Sequence, residues 1–329
     1  MLKEHTLYSL ADISIIPSVS TSIFSRRQCN PFRKSIEGVE GYYPLIASPM
    51  DSVVDDKWEE YHKNNVSCII PRTFDSAIRK EMCKDIFCAF SLTEAYEVLE
   101  FGEKFQKGKF YLLIDIANGS MQDEIDCGRK LKEQFKDNIV LMGGNIGNPL
   151  TYLLYDAAGF DFVRVGVGSG YGCLTSTNPG IHYPYASLIS EISEFKNRFH
   201  SHCKIIADGG MSGYSDIIKS LALGADYVMC GRIFAQAAKG NEEVGDLAVY
   251  RGMSTKEAQK AMGHTNLKTA EGRTLQIQKQ YTLSGWIENF DSYLRSAMSY
   301  CDSRTLTEFR EKAICQVISP NSSSLINNK

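Results

Sequence analysis

The sequence is poor in the features that mark several protein classes. Its ten cysteines include no C-x-x-C pair. Several of them, among them Cys68, Cys88, Cys203 and Cys230, sit inside apolar stretches where a reduced thiol packs as a small hydrophobe. This argues against a disulfide framework or a structural zinc site, and for a reducing, cytoplasmic setting. No apolar run approaches the roughly 18 residues that a membrane-spanning helix needs. The opening stretch MLKEHTLYSLADISIIP mixes charges into its apolar residues and lacks the uninterrupted core of a signal peptide. An excess of charge is missing too: 36 Lys and Arg against 39 Asp and Glu leave a formal net charge of -3. Neither a nucleic acid nor an anionic membrane is expected as a partner.

What is present is a rhythm. The chain has 329 residues, 43% hydrophobic and 23% charged, which suits an ordinary globular protein. Eight short apolar runs recur along it: YPLIAS (43–48), VSCIIP (66–71), IFCAFS (86–91), FYLLIDI (110–116), IVLMGGN (139–145), FDFVRVGV (160–167), KIIADGG (204–210) and DYVMCGR (226–232). Each is apolar on both faces, as strands of a buried parallel sheet are. Between them lie segments with helical spacing, such as VVDDKWEEYHKN (53–64), SAIRKEMCKD (76–85), MQDEIDCGRKLKEQF (121–135) and YASLISEISEFKNRF (185–199). Eight strand–helix units predict a single-domain (β/α)8 TIM barrel. An open doubly wound sheet would want a glycine fingerprint after an early strand, and there is none. The barrel is expected to occupy residues 1–315, with the amphipathic helix LSGWIENFDSYLRSAMSYC (283–301) in its C-terminal segment. Residues 316–329 are expected to be a polar, disordered tail.

In such barrels chemistry sits at the C-terminal ends of the strands. The distinctive motifs fall there: ASPMDS after strand one, DIANGS after four, GGN after five, GSGYGC after six, DGGMS after seven and CGR after eight. Glycine-bearing ends after strands six, seven and eight facing one mouth favour a phosphate cradle, because backbone N–H groups can approach an anion closely. The stretch GVGSGYGCLTSTNPG (166–180) carries five glycines around one cysteine.

These pieces resemble the IMP dehydrogenase/GMP reductase family over nearly the whole chain. The resemblance rests on LADISIIPS, ASPMDSV, IDIANG, GGNI, VGVGSGYGCLT, IADGGMSGYSDIIKSLALGADYVMCG, YRGMS and AEGRT, eight motifs in the right order. The family fold is a (β/α)8 barrel. The regulatory CBS domains usual after the second strand of the dehydrogenases are absent, with only RTFDSAIRKE (72–81) in their place. The resemblance implies that Cys173 is a nucleophile attacking C2 of a purine nucleoside monophosphate, with Thr175 beside it. It implies that Asp208 binds the ribose hydroxyls and that Gly210 and Gly231 meet phosphate. Ser48, Met50, Tyr250, Gly252 and Met253 complete the nucleotide pocket. Asp115, Ala117, Asn118 and Gly119 would face the nicotinamide half of a dinucleotide. Carbonyls of Gly168, Gly170 and Cys173 would ligate potassium, and the assembly would be a homotetramer.

Within the family the reductase pattern fits better. The approach to AEGRT reads AMGHTNLKTAEG (261–272), which lacks the Arg-Tyr pair that activates water in dehydrogenases. Glu271 falls at the reductase glutamate, inside an active-site flap near residues 250–275, and Asn118 stands where dehydrogenases more often have histidine. The implied activity is NADPH-dependent conversion of GMP to IMP and ammonia. The alternatives are an IMP dehydrogenase without CBS domains, a relative acting on a modified purine nucleotide, and a nucleotide-binding barrel without turnover. Departures from the pattern keep these open. Tyr171 replaces a phosphate-binding serine, and Arg232 replaces a glycine or serine. Ala270 replaces a small hydroxyl residue, Lys268 an arginine, and His182 a small residue. Arg232 would offset the lost serine, or mark a phosphate end remodelled for another nucleotide, or lie on the surface.

Overall fold

Eight apolar runs become eight parallel strands in the computed structural model, which describes residues 6–100, 102, 108–263, 265–267 and 269–327. They are β1 (Leu45–Ala47), β2 (Ser67–Cys68), β3 (Cys88–Phe90), β4 (Phe110–Ile114), β5 (Ile139–Ile146), β6 (Phe162–Val165), β7 (Lys204–Asp208) and β8 (Tyr227–Cys230). The hydrogen-bonded order is β2-β1-β8-β7-β6-β5-β4-β3. The remaining seam, β2 to β3, closes through a parallel bridge between Ile70 and Cys88. There Ile70 N–H donates to the Phe87 carbonyl at 2.9 Å, and Ala89 N–H donates to the Ile70 carbonyl at 2.9 Å. This is a (β/α)8 barrel.

Side chains on a strand alternate between its faces, and the barrel uses the alternation to make two cores. Ile46, Phe87, Leu113, Met142, Ile206 and Met229 fill the cylinder, and Ile36 from the N-terminal segment plugs its lower end. The neighbouring residues Leu45, Cys88, Leu112, Leu141, Val163, Ile205 and Val228 point outward and pack beneath the helices. A run apolar on both faces is the sequence trace of this double burial.

The helices are shorter than the sequence spacing suggested after β1, where only Glu59–Lys63 is helical, and after β2, where Ser76–Met82 is. Gln122–Phe135 and Tyr185–Phe199 match expectation. After β8 the chain leaves the barrel as an antiparallel ribbon, Leu247–Arg251 against Thr274–Gln278, and returns in helix Leu283–Tyr300. In place of disorder from residue 316, Ile314–Val317 pairs antiparallel with Ile13–Ile16, and Pro320–Asn327 is helical. The backbone ladder holds the strand. Ser319 Oγ accepts the Ser322 N–H, and Ser323 Oγ donates to the Ala11 carbonyl at 2.7 Å. Composition registers none of these local bonds.

Candidate active site

The glycine loop after β6 is bent by Gly166, whose φ is +132°. A Cβ there would run into the carbonyl oxygen of Asp208, so the loop lies tightly against the end of β7. The turn brings Cys173 N–H to the Gly170 carbonyl at 2.9 Å. The thiol then meets a hydroxyl: Cys173 Sγ is 3.3 Å from Thr175 Oγ1. Opposite stands the segment that follows the ribbon's outer loop. Leu174 N–H donates to the Glu271 carbonyl at 2.9 Å, Arg273 N–H donates to the Gly172 carbonyl at 2.8 Å, and Cys173 pairs antiparallel with Gly272. Backbone bonds thus fasten Glu271 beside the thiol loop although 98 residues separate Glu271 from Cys173 in the chain (271 − 173 = 98).

Both belong to one cavity of about 290 Å3 at the C-terminal mouth of the barrel. Of the residues expected at the site, Cys173, Thr175, Glu271, Ser48, Met50, Asp208, Tyr250, Gly252, Met253, Asp115, Ala117, Gly168 and Gly170 line it. Gly231 stands at its edge, where a Cβ would meet Tyr250 Oη at 3.0 Å and Ser48 Oγ at 3.6 Å. Five positions, Gly231 included, fall outside the wall. Gly119 N–H donates to the Asn145 carbonyl and the Gly119 carbonyl accepts from Tyr155 Oη, both at 2.8 Å, so it packs one loop on another. Asn118 is exposed, its Oδ1 accepting the Ser120 N–H. Gly210 lies against Ser169. Arg232 is not a free surface residue: its guanidinium lies over the Tyr171 ring, 3.9 Å from the centroid. His182 is an exposed loop residue with Nδ1 3.2 Å from the Val167 carbonyl. Lys268 lies outside the described residues.

Charge is concentrated in the cavity floor. Arg164, buried at 4% exposure within β6, donates through Nη2 to Asp115 Oδ1 and to the Gly144 carbonyl, both at 2.8 Å. Its Nη1 is 3.8 Å from Asp208 Oδ2. Arg72 Nε donates to the other Asp115 oxygen at 3.0 Å. Burial favours the protonated Asp115 carboxyl, but Arg164 and then Arg72 outweigh it and hold the group below the usual carboxylate range. Asp208 has weaker support: burial raises it, and Arg164 with the 2.8 Å bond from Asn145 Nδ2 offsets only part. The Tyr250 phenol is pushed up to about 12 by burial and then by Asp208, so it stays a hydrogen-bond donor. Arg251 Nε reaches both Asp51 carboxylate oxygens, at 3.2 and 3.1 Å, and ties the ribbon to the loop after β1.

Arg72, Asn145, Arg164 and Arg251 were not singled out in the sequence. Two of them had signals. An arginine in the middle of the strand FDFVRVGV must find buried carboxylates, and the asparagine ending GGN sits at a strand end where polar groups face the mouth.

Burial pushes the other nine thiols above the ordinary cysteine range, with Cys83 and Cys127 at about 12 and Cys315 at about 11. Cys173 is half-buried and is the one cysteine of the ten that lines the cavity. Among the described residues no group of three His, Cys, Asp or Glu side chains is placed to hold a metal ion, and no helix is long and apolar enough to cross a membrane.

A closed (β/α)8 barrel with one thiol in a glycine loop at its mouth belongs to the class of barrel enzymes that work on small molecules at their strand ends. Residues 95–326 match the model of the IMP dehydrogenase / GMP reductase domain, and the chain belongs to that family. Proteins named GMP reductase are similar to it. That of Onchocerca volvulus is 29% identical over 214 residues, 62% of this chain and 57% of the relative. That of Photobacterium profundum is 28% identical over 304 residues, 82% of each. That of Staphylococcus carnosus is 27% identical over 326 residues, 93% of this chain and 94% of the relative.

Proposed function

We propose that this chain is a GMP reductase, converting GMP to IMP and ammonia with NADPH in a reducing, cytoplasmic compartment. The observation that carries the reading is the 3.3 Å contact of Cys173 Sγ with Thr175 Oγ1 in a cavity that Glu271 also lines. Guanine needs a nucleophile at C2, a proton for the departing amine and a hydride.

Cys173, as thiolate, forms the S–C2 bond. Glu271 and Thr175 deliver a proton to the 2-amino group, so that the C2–N bond breaks with loss of ammonia and not of an amide anion. NADPH, when bound, supplies the hydride that C2 accepts. The electron pair of the S–C2 bond then returns to Cys173, and the purine leaves as IMP. Asp208 accepts from the ribose hydroxyls, while Ser48, Met50, Gly252 and Met253 shape the base and ribose pocket. Gly210, Gly231, Tyr250 and Arg232 serve the phosphate. Asp115, Asn118 and Ala117 form the nicotinamide side, where a carboxylate and an amide suit a carboxamide partner, and Gly119 shapes their loop.

The carbonyls of Gly168, Gly170 and Cys173 hold a monovalent cation in this reading. That of Gly170 already accepts the Cys173 N–H and keeps a second lone pair. No chemical step runs through the cation. The assembly is a homotetramer, measurable by light scattering.

Purified protein given GMP and NADPH should lose the reduced-cofactor absorbance and release one ammonia per NADPH. IMP with NAD should give no NADH. NADH formation from IMP would make the protein a dehydrogenase. Silence with both pairs would contradict the reading and point to another purine nucleotide or to binding without turnover.

A further inference from the structure

The two positions at which the phosphate end departs from the family pattern touch each other. The Arg232 guanidinium carbon stands 3.9 Å from the ring centroid of Tyr171. Tyr171 is 55% exposed at the mouth, whereas Arg232 Nε is buried and has no hydrogen-bond partner. Among the described residues no carboxylate pairs with this guanidinium, whereas the arginines that line the cavity, Arg72 and Arg164, both hold Asp115, and Arg251 of the ribbon holds Asp51. A guanidinium nitrogen buried without a hydrogen-bond partner is held at a cost, which an aromatic face offsets only in part. Beside Arg232 stands the Tyr250 phenol, kept protonated, whose Oη would lie 3.0 Å from a Cβ at Gly231. An uncompensated cation beside a neutral donor is a receptor that lacks its anion.

We propose that Arg232 and Tyr171 form one clamp for the terminal phosphate of the substrate nucleotide. Arg232 supplies a forked, charge-assisted pair of hydrogen bonds, and Tyr171 is a positioning residue that keeps the guanidinium plane fixed by stacking. This rests on the nucleotide reading above and adds its selectivity: the chain distinguishes a nucleotide from its nucleoside mainly through Arg232.

Calorimetric binding of GMP, guanosine, IMP and inosine tests it, in the native chain and in Arg232→Ala, Arg232→Lys, Tyr171→Ala, Tyr171→Phe and the double alanine variant, with melting temperatures as the folding control. Arg232→Ala should weaken both nucleotides by about 10- to 100-fold and both nucleosides by less than about threefold. Arg232→Lys should recover part of the loss. Tyr171→Ala should weaken the nucleotides by about fivefold and Tyr171→Phe should not, because the ring suffices. The double variant should be no weaker than Arg232→Ala alone. Equal losses for nucleoside and nucleotide, no loss at all, or a native chain that binds no nucleotide better than its nucleoside would each overturn the clamp. A protein that binds GMP through Arg232 yet oxidises no NADPH keeps the clamp and loses the reductase reading. One that turns over GMP with an unchanged KM in Arg232→Ala keeps the reductase and loses the clamp.

Discussion

A thiol adds to a purine only where it can reach the ring; eight of the ten cysteines here are buried, and the half-buried Cys315 lies outside the cavity. Cys173 is held differently, by a turn of glycines that puts its sulfur beside a hydroxyl and its backbone against Gly272. In the proposed reaction Glu271 serves the second half, the departure of the amine. Removing its proton while keeping its shape should therefore strike kcat and spare binding. We expect Glu271→Gln to lower kcat with GMP by about 100- to 10,000-fold, the range typical of a lost general acid, while the Kd for GMP moves by less than about threefold. Steady-state kinetics and calorimetry check this. A loss confined to KM would assign Glu271 to binding alone. Arg164 shows the same logic in the floor: without it Asp115 and Asp208 would be buried with less counter-charge.

Among the elements, the ribbon Leu247–Arg251/Thr274–Gln278 decides whether Glu271 stays at the thiol. It leaves the barrel after β8, and its side-chain anchor to the loop after β1 is the Arg251–Asp51 pair, supported by Ser52 Oγ at 3.3 Å from the Arg251 carbonyl. Arg251→Ala should loosen this element without disturbing the barrel. We expect faster amide hydrogen exchange over residues 250–275, unchanged exchange in β4 and β5, and a fall in kcat/KM of about tenfold. Unchanged exchange in the ribbon would show that the backbone bonds of Gly172 and Leu174 suffice. The strands themselves were legible, because residues buried on both faces leave an unbroken apolar run in the sequence. The strand-end placement of the motifs carrying Cys173, Thr175 and Asp208 was legible, and all three line the cavity; the roles expected of them rest on the family resemblance. The shortness of the helices at 59–63 and 76–82 was not, since amphipathic spacing continues past the point where tertiary packing ends a helix. Nor was the Arg232–Tyr171 stack, which joins side chains 61 positions apart (232 − 171 = 61) and leaves no periodic trace. The strand at 314–317 escaped because its partner lies at the other end of the chain.

On the scale of the whole molecule, the barrel stores a pH dependence. Glu124, on the helix Gln122–Phe135, is buried against β5, and its Oε1 accepts the Gly144 N–H at 2.9 Å. Burial pushes its carboxyl up to about 7 from an ordinary 4.5. A carboxyl with a raised folded-state pKa stabilises fully below the unfolded value, and that contribution is lost as pH rises through the folded one. The native chain should therefore lose stability between about pH 4.5 and 7.5, by on the order of 3 kcal/mol from this group. His62, whose pKa is lowered by burial, works in the opposite sense, so the difference between variants is the readout. Glu124→Gln should show a flatter melting temperature from pH 5 to 8.5 and exceed the native chain at the upper end. Parallel curves would show that Glu124 is charged throughout. The proposed chemistry stands on one sulfur, and one comparison tests it most directly: the rate of GMP-dependent NADPH oxidation by the native chain and by Cys173→Ala, with the GMP Kd measured alongside. We expect Cys173→Ala to lose at least about 1,000-fold in rate while its Kd stays within about tenfold of native. A variant without that sulfur which still oxidises NADPH at a near-native rate would contradict the covalent route.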